Sequence, residues 1–226
     1  MTGKQASMIN HILKGYIKLE KRMTAMKVTG SKKVAELKGA LAKEQQVSSG
    51  FLMAGDEVLR FPSPKLEKAM EIIDSYPESE QFIVWTYFQE TTVRMANAIK
   101  NSASIYGKTS NAQRKKNIAD FKAGKLRVLV MQITSGNTGL NLQMCTKQIF
   151  VEYDFTPANI DQAIARSARS GQTNTVTVWA LYTLQTADEV SIKTIRDKKK
   201  VTSAIMSTYI TRKLKKLHSG SIKGIV

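Results

Sequence analysis

Two arginines and a glutamine recur at helical spacing in the stretch QAIARSARSGQT, which begins at Gln162. Gln162, Arg166 and Arg169 are separated by four and by three residues, which places them within about 60° of one another on an α-helix. No aspartate or glutamate lies three or four positions from either arginine to form an intrahelical ion pair. Planar, permanently charged guanidinium groups match phosphate oxygens, so the stretch is a candidate phosphate site. The alternative is an ordinary exposed basic helix face.

A second candidate for phosphate chemistry is GKTS, at residues 107–110. A phosphate-binding P-loop has a further glycine five positions before the glycine of its GK pair, and Ser102 occupies that position here. Residues 104–106 are also predicted as strand, which leaves no room for a loop around the phosphates. Ser110 is instead predicted to cap the next helix together with Gln113. Neither GxxxxGKS nor GxxxxGKT occurs in the sequence, so we expect no Walker lysine in this chain.

These candidates lie in a regular alternation of predicted strands and helices. Apolar runs predict strands over 82–87, 104–106, 126–133, 147–153 and 176–182. Helical periodicity predicts helices over 90–100, 111–122, 138–143 and 158–169. The alternation indicates an α/β fold with a mainly parallel sheet flanked by helices. Trp85 and Trp179 lie within apolar strands and are predicted to be core residues.

Positive charge is concentrated at the two ends of the sequence. The formal net charge is +17, from 35 basic and 18 acidic residues. Residues 1–60 hold 11 basic and 5 acidic side chains, residues 61–186 hold 14 and 10, and residues 187–226 hold 10 and 3. We predict a basic helical N-terminal extension over 1–60, a lobe over 61–186, and a basic C-terminal helix and tail over 187–226. Basic flanks favour a polyanionic partner, although a solvated lysine-rich surface has the same composition.

Length and composition narrow the class of protein. A chain of 226 residues suffices for one α/β domain with appendages. The single cysteine, Cys145, cannot form an internal disulfide, and no apolar run is long enough to span a bilayer. We therefore expect an intracellular, cytoplasmic protein with no membrane partner. Host cytoplasm, if the source is a phage, and association with the nucleoid are both compatible with this expectation.

Several blocks of the sequence, taken in order, resemble one family of motor proteins. ITSGNTGLNLQ (133–143), IFVEYDFTP (149–157) and the QAIARSARSGQT stretch resemble motifs V and VI of the Snf-type DNA translocases of helicase superfamily two. FIVWTYFQETTVRMANAI resembles their motif IV, and IYGKTSNAQRKKNIADF the block that follows it. The resemblance covers roughly residues 37–205 and implies the C-terminal, RecA-like lobe of a two-lobed motor.

The sequence departs from the family pattern at two places. The family usually has tryptophan and asparagine before the proline that is Pro157 here, where this chain has Phe155 and Thr156. The family also usually has histidine before the second arginine, where this chain has Ala168. These departures suggest a divergent member of phage or bacterial origin. Both arginines are retained.

The resemblance implies roles for particular residues in a motor that hydrolyses ATP with Mg²⁺ between two lobes. Arg169 would be the arginine finger and Arg166 a second phosphate contact. Gln162, Gly139 and Asn141 would line the nucleotide cleft. DNA-backbone contacts would come from four further residues, namely Thr134, Ser135, Thr86 and Lys108.

The implied function is half of a DNA-dependent ATPase. ATP and Mg²⁺ would be held mainly by a Walker-containing first lobe, joined in cis or supplied in trans, and the chain alone would be inactive. The implied partner is DNA, in duplex form and bound through its backbone, with translocation and unwinding both open. One alternative is a non-enzymatic nucleic-acid-binding module derived from such a lobe, and a second is a self-contained nucleotide enzyme built on GKTS.

Overall fold

A computed structural model describes residues 3, 5, 7–9, 31–135, 140–197, 209 and 212. The chain divides into two compact units. One is continuous and runs from Lys65 to Tyr182, and the other combines Met1–Pro64 with Thr183–Val226. Within the described ranges, no helix combines the length and apolar character needed to cross a membrane.

The continuous unit alternates strands with helices. Its strands are β3 (Phe82–Thr86), β4 (Ser102–Ile105), β5 (Val128–Gln132), β6 (Lys147–Phe150) and β7 (Thr177–Ala180). Its helices are α2 (Pro64–Asp74), which begins at the unit boundary, α3 (Gln89–Ala98), α4 (Asn111–Lys122), a short 3-10 helix (Ile133–Ser135) and α5 (Pro157–Ile164).

The five strands form one parallel sheet in the order β4-β5-β3-β6-β7. Strand β3, FIVWT, is buried along its whole length because its neighbours and both sheet faces are covered. In the register of β3 with β5, Thr86 lies opposite Gln132. The prediction of an α/β fold with a parallel sheet flanked by helices is confirmed.

The core of this unit is a cluster of apolar side chains from the sheet and the helices that cover it. Its buried members are Leu66, Ala69, Ile73, Phe82, Val84, Met95, Val128, Val130, Ile149 and Val151. Trp85 is fully buried, stacks on Phe150 with ring centroids 6.0 Å apart, and donates from Nε1 to Gln148 at 2.7 Å. Trp179 is half-buried and packs against the cluster, so both tryptophans contribute to the core as predicted.

The other unit contains α1 (Ser31–Ser48), a hairpin of β1 (Phe51–Ala54) and β2 (Glu57–Arg60), and α6 (Ala187–Arg196). The hairpin turn requires Gly55, whose φ of 63° is in the left-handed region. Gln45 of α1 donates to Ser191 of α6 at 3.1 Å, which joins the two ends of the chain within this unit. The hairpin at residues 51–60 was not predicted within the basic helical N-terminal extension over 1–60, and the division of the chain into three parts stays a prediction. Most of the predicted helix after Asp197 lies outside the described residues.

Candidate functional site

Helix α5 is shorter than the sequence predicts. It begins at Pro157, a residue suited to the first helical turn, and ends at Ile164. The following residues form turns, in which the N–H of Arg166 donates to Ala163 O at 3.1 Å and that of Ser167 to Ile164 O at 3.2 Å. Gln162 is therefore exposed on the helix, whereas both arginines lie in the turn beyond it. The prediction of one helical stripe over 158–169 is wrong at its C-terminal end.

The Arg166 side chain is buried, and among the described residues no carboxylate forms an ion pair with it. The residue is only 7% exposed, and its Nε has no hydrogen-bond partner among the described atoms. Burial, followed by the nearby positive charge of Arg169, lowers the pKa of Arg166 from its usual value. Both effects penalise the charged form. A guanidinium group stays charged nonetheless, so an incoming anion would relieve this penalty.

Arg169 is exposed and is oriented by its own turn. Its Nε donates to the Ala165 carbonyl at 3.1 Å, and its carbonyl accepts the N–H of Gln172 at 2.9 Å. Gly171 has a φ of 91°, which a residue with a side chain would adopt only with strain. The Nη groups of Arg169 make no hydrogen bond or ion pair with the described residues. One arginine is thus buried and the other is presented to solvent.

Residues 165–170, which we call the arginine turn, are hydrogen-bonded to residues 140–146, the segment that precedes β6. The N–H of Leu142 donates to the Arg166 carbonyl at 3.0 Å. Gln172 Nε2 donates to Gln143 O at 2.7 Å, and Gln143 Nε2 donates to Ser170 O at 3.0 Å. These two glutamines were not singled out from the sequence, because a glutamine in a loop carries no positional signal. Their bonds fix the turn against a second loop.

Asn141 belongs to this same segment. It is exposed, and its Oδ1 accepts the N–H of Gln143 at 3.1 Å. The structure therefore brings Asn141 into the hydrogen-bonded neighbourhood of the arginine turn. Gly139 lies outside the described residues. Residues 140–146 contain no helix, so the described part of the predicted 138–143 helix is wrong.

The predicted DNA contacts lie at the opposite edge of the sheet. The arginine turn precedes β7 and its partner segment precedes β6, so both are at the amino ends of parallel strands. Thr134 and Ser135 follow the carboxyl end of β5, and Lys108 follows that of β4. Thr134 and Lys108 are exposed, and Ser135 is partly exposed. Loops at carboxyl ends are the usual ligand side of such sheets.

Thr86 is not available for a DNA contact in this structure. It is fully buried, its hydroxyl lies 2.6 Å from that of Thr92, and it donates to Met131 O at 3.3 Å. Because both faces of the sheet are covered, every residue of β3 is buried, including Thr86. The structure therefore does not support the DNA contact expected of Thr86.

GKTS forms a helix cap rather than a phosphate loop. The Ser110 hydroxyl accepts the N–H of Gln113 at 3.2 Å, which confirms the predicted cap of α4. The Gln113 side chain bonds Asn117 instead of returning to Ser110, so only half of the predicted capping box forms.

In the part of the chain that the structure describes, no cluster of three histidine, cysteine or acidic residues could hold a metal ion.

Residues 64–171 and the stretches around them are similar to known proteins. Residues 64–171 match the family described as the helicase conserved C-terminal domain. A stretch of 103 residues is 32% identical to the chromatin-remodeling ATPase INO80 of Mycosarcoma maydis, over 45% of this chain and 5% of that protein. Residues 64–171 thus resemble a helicase conserved C-terminal domain, and the relatives of the chain include chromatin-remodeling ATPases.

Other relatives of the chain include fungal and bacterial proteins. The chain is 27% identical over 154 residues to the DNA repair protein RAD5 of Saccharomyces cerevisiae, covering 63% of this chain and 13% of that one. It is 25% identical over 135 residues to the uncharacterized ATP-dependent helicase YqhH of Bacillus subtilis, covering 58% and 24%. The chain thus spans a quarter or less of these relatives. Its expected phage or bacterial origin stays a prediction.

Two solved structures share the fold of this chain. The Sulfolobus solfataricus SWI2/SNF2 ATPase core in complex with dsDNA superposes with a TM-score of 0.66 and 25% identity, over 88% of this chain and 42% of that one. The C-terminal domain of the Sulfolobus solfataricus SWI2/SNF2 ATPase superposes with a TM-score of 0.63 and 20% identity, over 91% and 85%. The latter likeness, at this identity, concerns the fold alone.

Proposed function

We propose that this chain is the second motor lobe of an ATP-dependent DNA translocase. In this proposal the lobe supplies arginine fingers and DNA-backbone contacts, while a Walker-containing first lobe, in cis or in trans, holds ATP and Mg²⁺. The observation that carries the proposal is the buried side chain of Arg166, whose Nε has no hydrogen-bond partner among the described residues and whose charge lies near that of Arg169. Holding two positive charges close together, one of them buried, costs free energy in the chain alone, and a bound polyphosphate would lower that cost.

The two arginines would act on the charge of the phosphoryl group being transferred. Negative charge spreads over the equatorial oxygens in that transition state, and fixed guanidinium groups stabilise it without reorganisation. Arg169 is exposed and is therefore the finger that would reach another lobe, while the buried Arg166 would contact phosphate next to it. Gln162, Gly139 and Asn141 would line the same cleft. Mg²⁺, when bound, would neutralise charge on the phosphate oxygens.

The opposite edge of the sheet would contact the DNA backbone. Support comes from the Sulfolobus SWI2/SNF2 ATPase core, which shares this fold and was solved with dsDNA. Lys108, Thr134 and Ser135 offer an ammonium group and hydroxyls to phosphates, which position DNA without reading its sequence. The basic ends of the chain would add salt-dependent attraction. Translocation along duplex DNA is therefore favoured over sequence recognition.

Reconstitution tests the proposal. The purified chain should hydrolyse no ATP, and its mixture or fusion with the Walker-containing first lobe should show hydrolysis that duplex DNA stimulates. A mixture of that first lobe with the helicase C-terminal domain of an unrelated motor serves as the control. Turnover by the chain alone, or a first lobe whose hydrolysis the chain leaves unchanged, would contradict the proposal.

A second candidate is a nucleic-acid-binding module without motor activity. It is favoured by the absence of GxxxxGKS and GxxxxGKT from these 226 residues together with the net charge of +17. Such a module should bind duplex DNA with an affinity that neither ATP nor a first lobe alters. A motor lobe should instead show DNA affinity that changes with the nucleotide once the first lobe is present.

A further inference from the structure

We propose that Gln132 is a positioning residue that holds the DNA-facing loops of the carboxyl edge in one arrangement. The inference rests on the proposed function, because it concerns the same edge of the sheet. Gln132 is the last residue of β5 and is partly exposed. Because β5 lies between β4 and β3, the loops that follow both neighbours flank this one side chain.

The amide of Gln132 bonds both of these loops at once. Its Oε1 accepts the N–H of Gly107, in the loop after β4, at 3.2 Å. Its Nε2 donates to the carbonyl of Tyr87, in the loop after β3, at 2.9 Å. The hydroxyl of Ser135, in the turn after β5 itself, lies 3.5 Å from Oε1. Gly107 precedes Lys108, and Ser135 follows Thr134, so the bonded loops carry the proposed DNA contacts.

A glutamine is chemically specific at this position. One partner is a donor and another is an acceptor, and the glutamine amide satisfies both because it carries an oxygen acceptor and an NH2 donor. The same requirement fixes which end of the amide is oxygen. A glutamate could accept from Gly107 but would repel the Tyr87 carbonyl, and a leucine would bond neither.

A second side chain extends the connection that the Gln132 amide makes between these loops. The N–H groups of Tyr87 and Phe88 both donate to Oε2 of Glu152, at 2.9 and 2.8 Å, and Glu152 follows β6. Gln132 and Glu152 therefore join the loops after β4, β5, β3 and β6 in sheet order. A surface assembled from several loops binds an extended backbone best when the loops are fixed in advance. We infer that Gln132 contributes to DNA affinity without contacting DNA.

The test compares Gln132→Leu and Gln132→Glu with matched variants of Gln89 in the full chain. Gln89 is exposed at the start of α3, and its side chain makes no hydrogen bond with the described residues. Affinity for a fluorescent duplex is measured by anisotropy at low salt, together with amide hydrogen exchange and the unfolding midpoint. Gln89→Glu is the control for Gln132→Glu, because it adds the same negative charge at this edge. Gln89→Leu is the control for Gln132→Leu, because it removes an amide that makes no bond.

Loss of the bridge should weaken duplex binding by about threefold to tenfold in both Gln132 variants, the effect of one or two neutral hydrogen bonds. The Gly107 amide should exchange about tenfold faster, while the Gln89 variants stay within about twofold of wild type in affinity. Faster exchange with unchanged affinity, or unchanged exchange, would overturn the inference while leaving the proposed function standing. A wild-type chain that does not bind duplex would overturn both.

Discussion

Substituting Glu152 by glutamine should destabilise the sheet unit by removing one charge from its interior. Glu152 is 1% exposed and lies at the N-terminus of α3, where the flanking residue Phe88 provides no side-chain cap. Its carboxylate accepts the N–H groups of Tyr87 and Phe88 at 2.9 and 2.8 Å and the Thr91 hydroxyl at 2.5 Å. A helix N-terminus also attracts negative charge. The carboxylate thus performs the capping that the local sequence lacks.

The magnitude follows from those three bonds. Charge-assisted hydrogen bonds contribute about 1.5–3 kcal/mol each, against about 0.5–1.5 kcal/mol for neutral ones. Glu152→Gln preserves the shape but leaves one oxygen acceptor, so the two N–H bonds become neutral and the Thr91 hydroxyl must reverse to accept from the new NH2 group. The free energy of unfolding should therefore fall by about 2–4 kcal/mol. For a chain of this length that corresponds to about 5–15 °C in Tm.

Urea unfolding followed by tryptophan fluorescence measures this loss. Trp85 and Trp179 both lie in the Lys65–Tyr182 unit, so the signal reports on the unit that contains Glu152. Glu78→Gln, at an exposed position, is the matched control and should lie within about 0.5 kcal/mol of wild type. A Glu152→Gln protein as stable as the Glu78→Gln control would refute the reasoning.

Three further predictions concern stability and reactivity. Arg127 donates to the carbonyl of Ile73, in the last turn of α2, and to that of Tyr76, just after it, at 2.7 Å each, so Arg127→Met should cost about 2 kcal/mol in urea unfolding. Ser110→Ala should cost about 1 kcal/mol in the same assay because α4 loses its cap. Burial raises the pKa of Cys145 to about 11, so iodoacetamide at pH 8 should label this thiol only after unfolding. Because the thiol ionises more readily in the unfolded chain, the contribution of Cys145 to the free energy of unfolding should decline as pH rises from 9 towards 11. Rapid labelling of the native chain would contradict the last of these.

The sheet can be predicted from the sequence because its buried parallel strands are short apolar runs, and segments with helical periodicity separate them. The end of α5 is not readable, because residues 165–168 contain no glycine or proline to stop a helix. Tertiary contacts end it instead. The Ile164 carbonyl accepts from Gln148 Nε2 at 3.1 Å, and the Arg166 carbonyl accepts from the Leu142 N–H at 3.0 Å. Both partners come from distant parts of the chain.

For the candidate site, the sequence predicts which residue types matter better than it predicts where their side chains lie. The absence of nearby acids identifies the arginines as unusual, but no local pattern distinguishes the buried Arg166 from the exposed Arg169. For Thr86 the signal was present, because it ends the apolar run FIVW, which is typical of a strand covered on both faces. Gln132, its register partner on β5, could not be singled out, because its role depends on strand order.

The most direct measurement of the central claim is the ATPase turnover of the reconstituted two-lobed motor with Arg169→Ala. An arginine finger that reaches phosphate in the other lobe predicts a fall in kcat of about 10³-fold or more, with duplex affinity of the isolated chain unchanged. Lys122→Ala removes an equal charge from an exposed position on α4 and should leave kcat within about twofold of wild type. A loss smaller than about tenfold for Arg169→Ala would contradict the account.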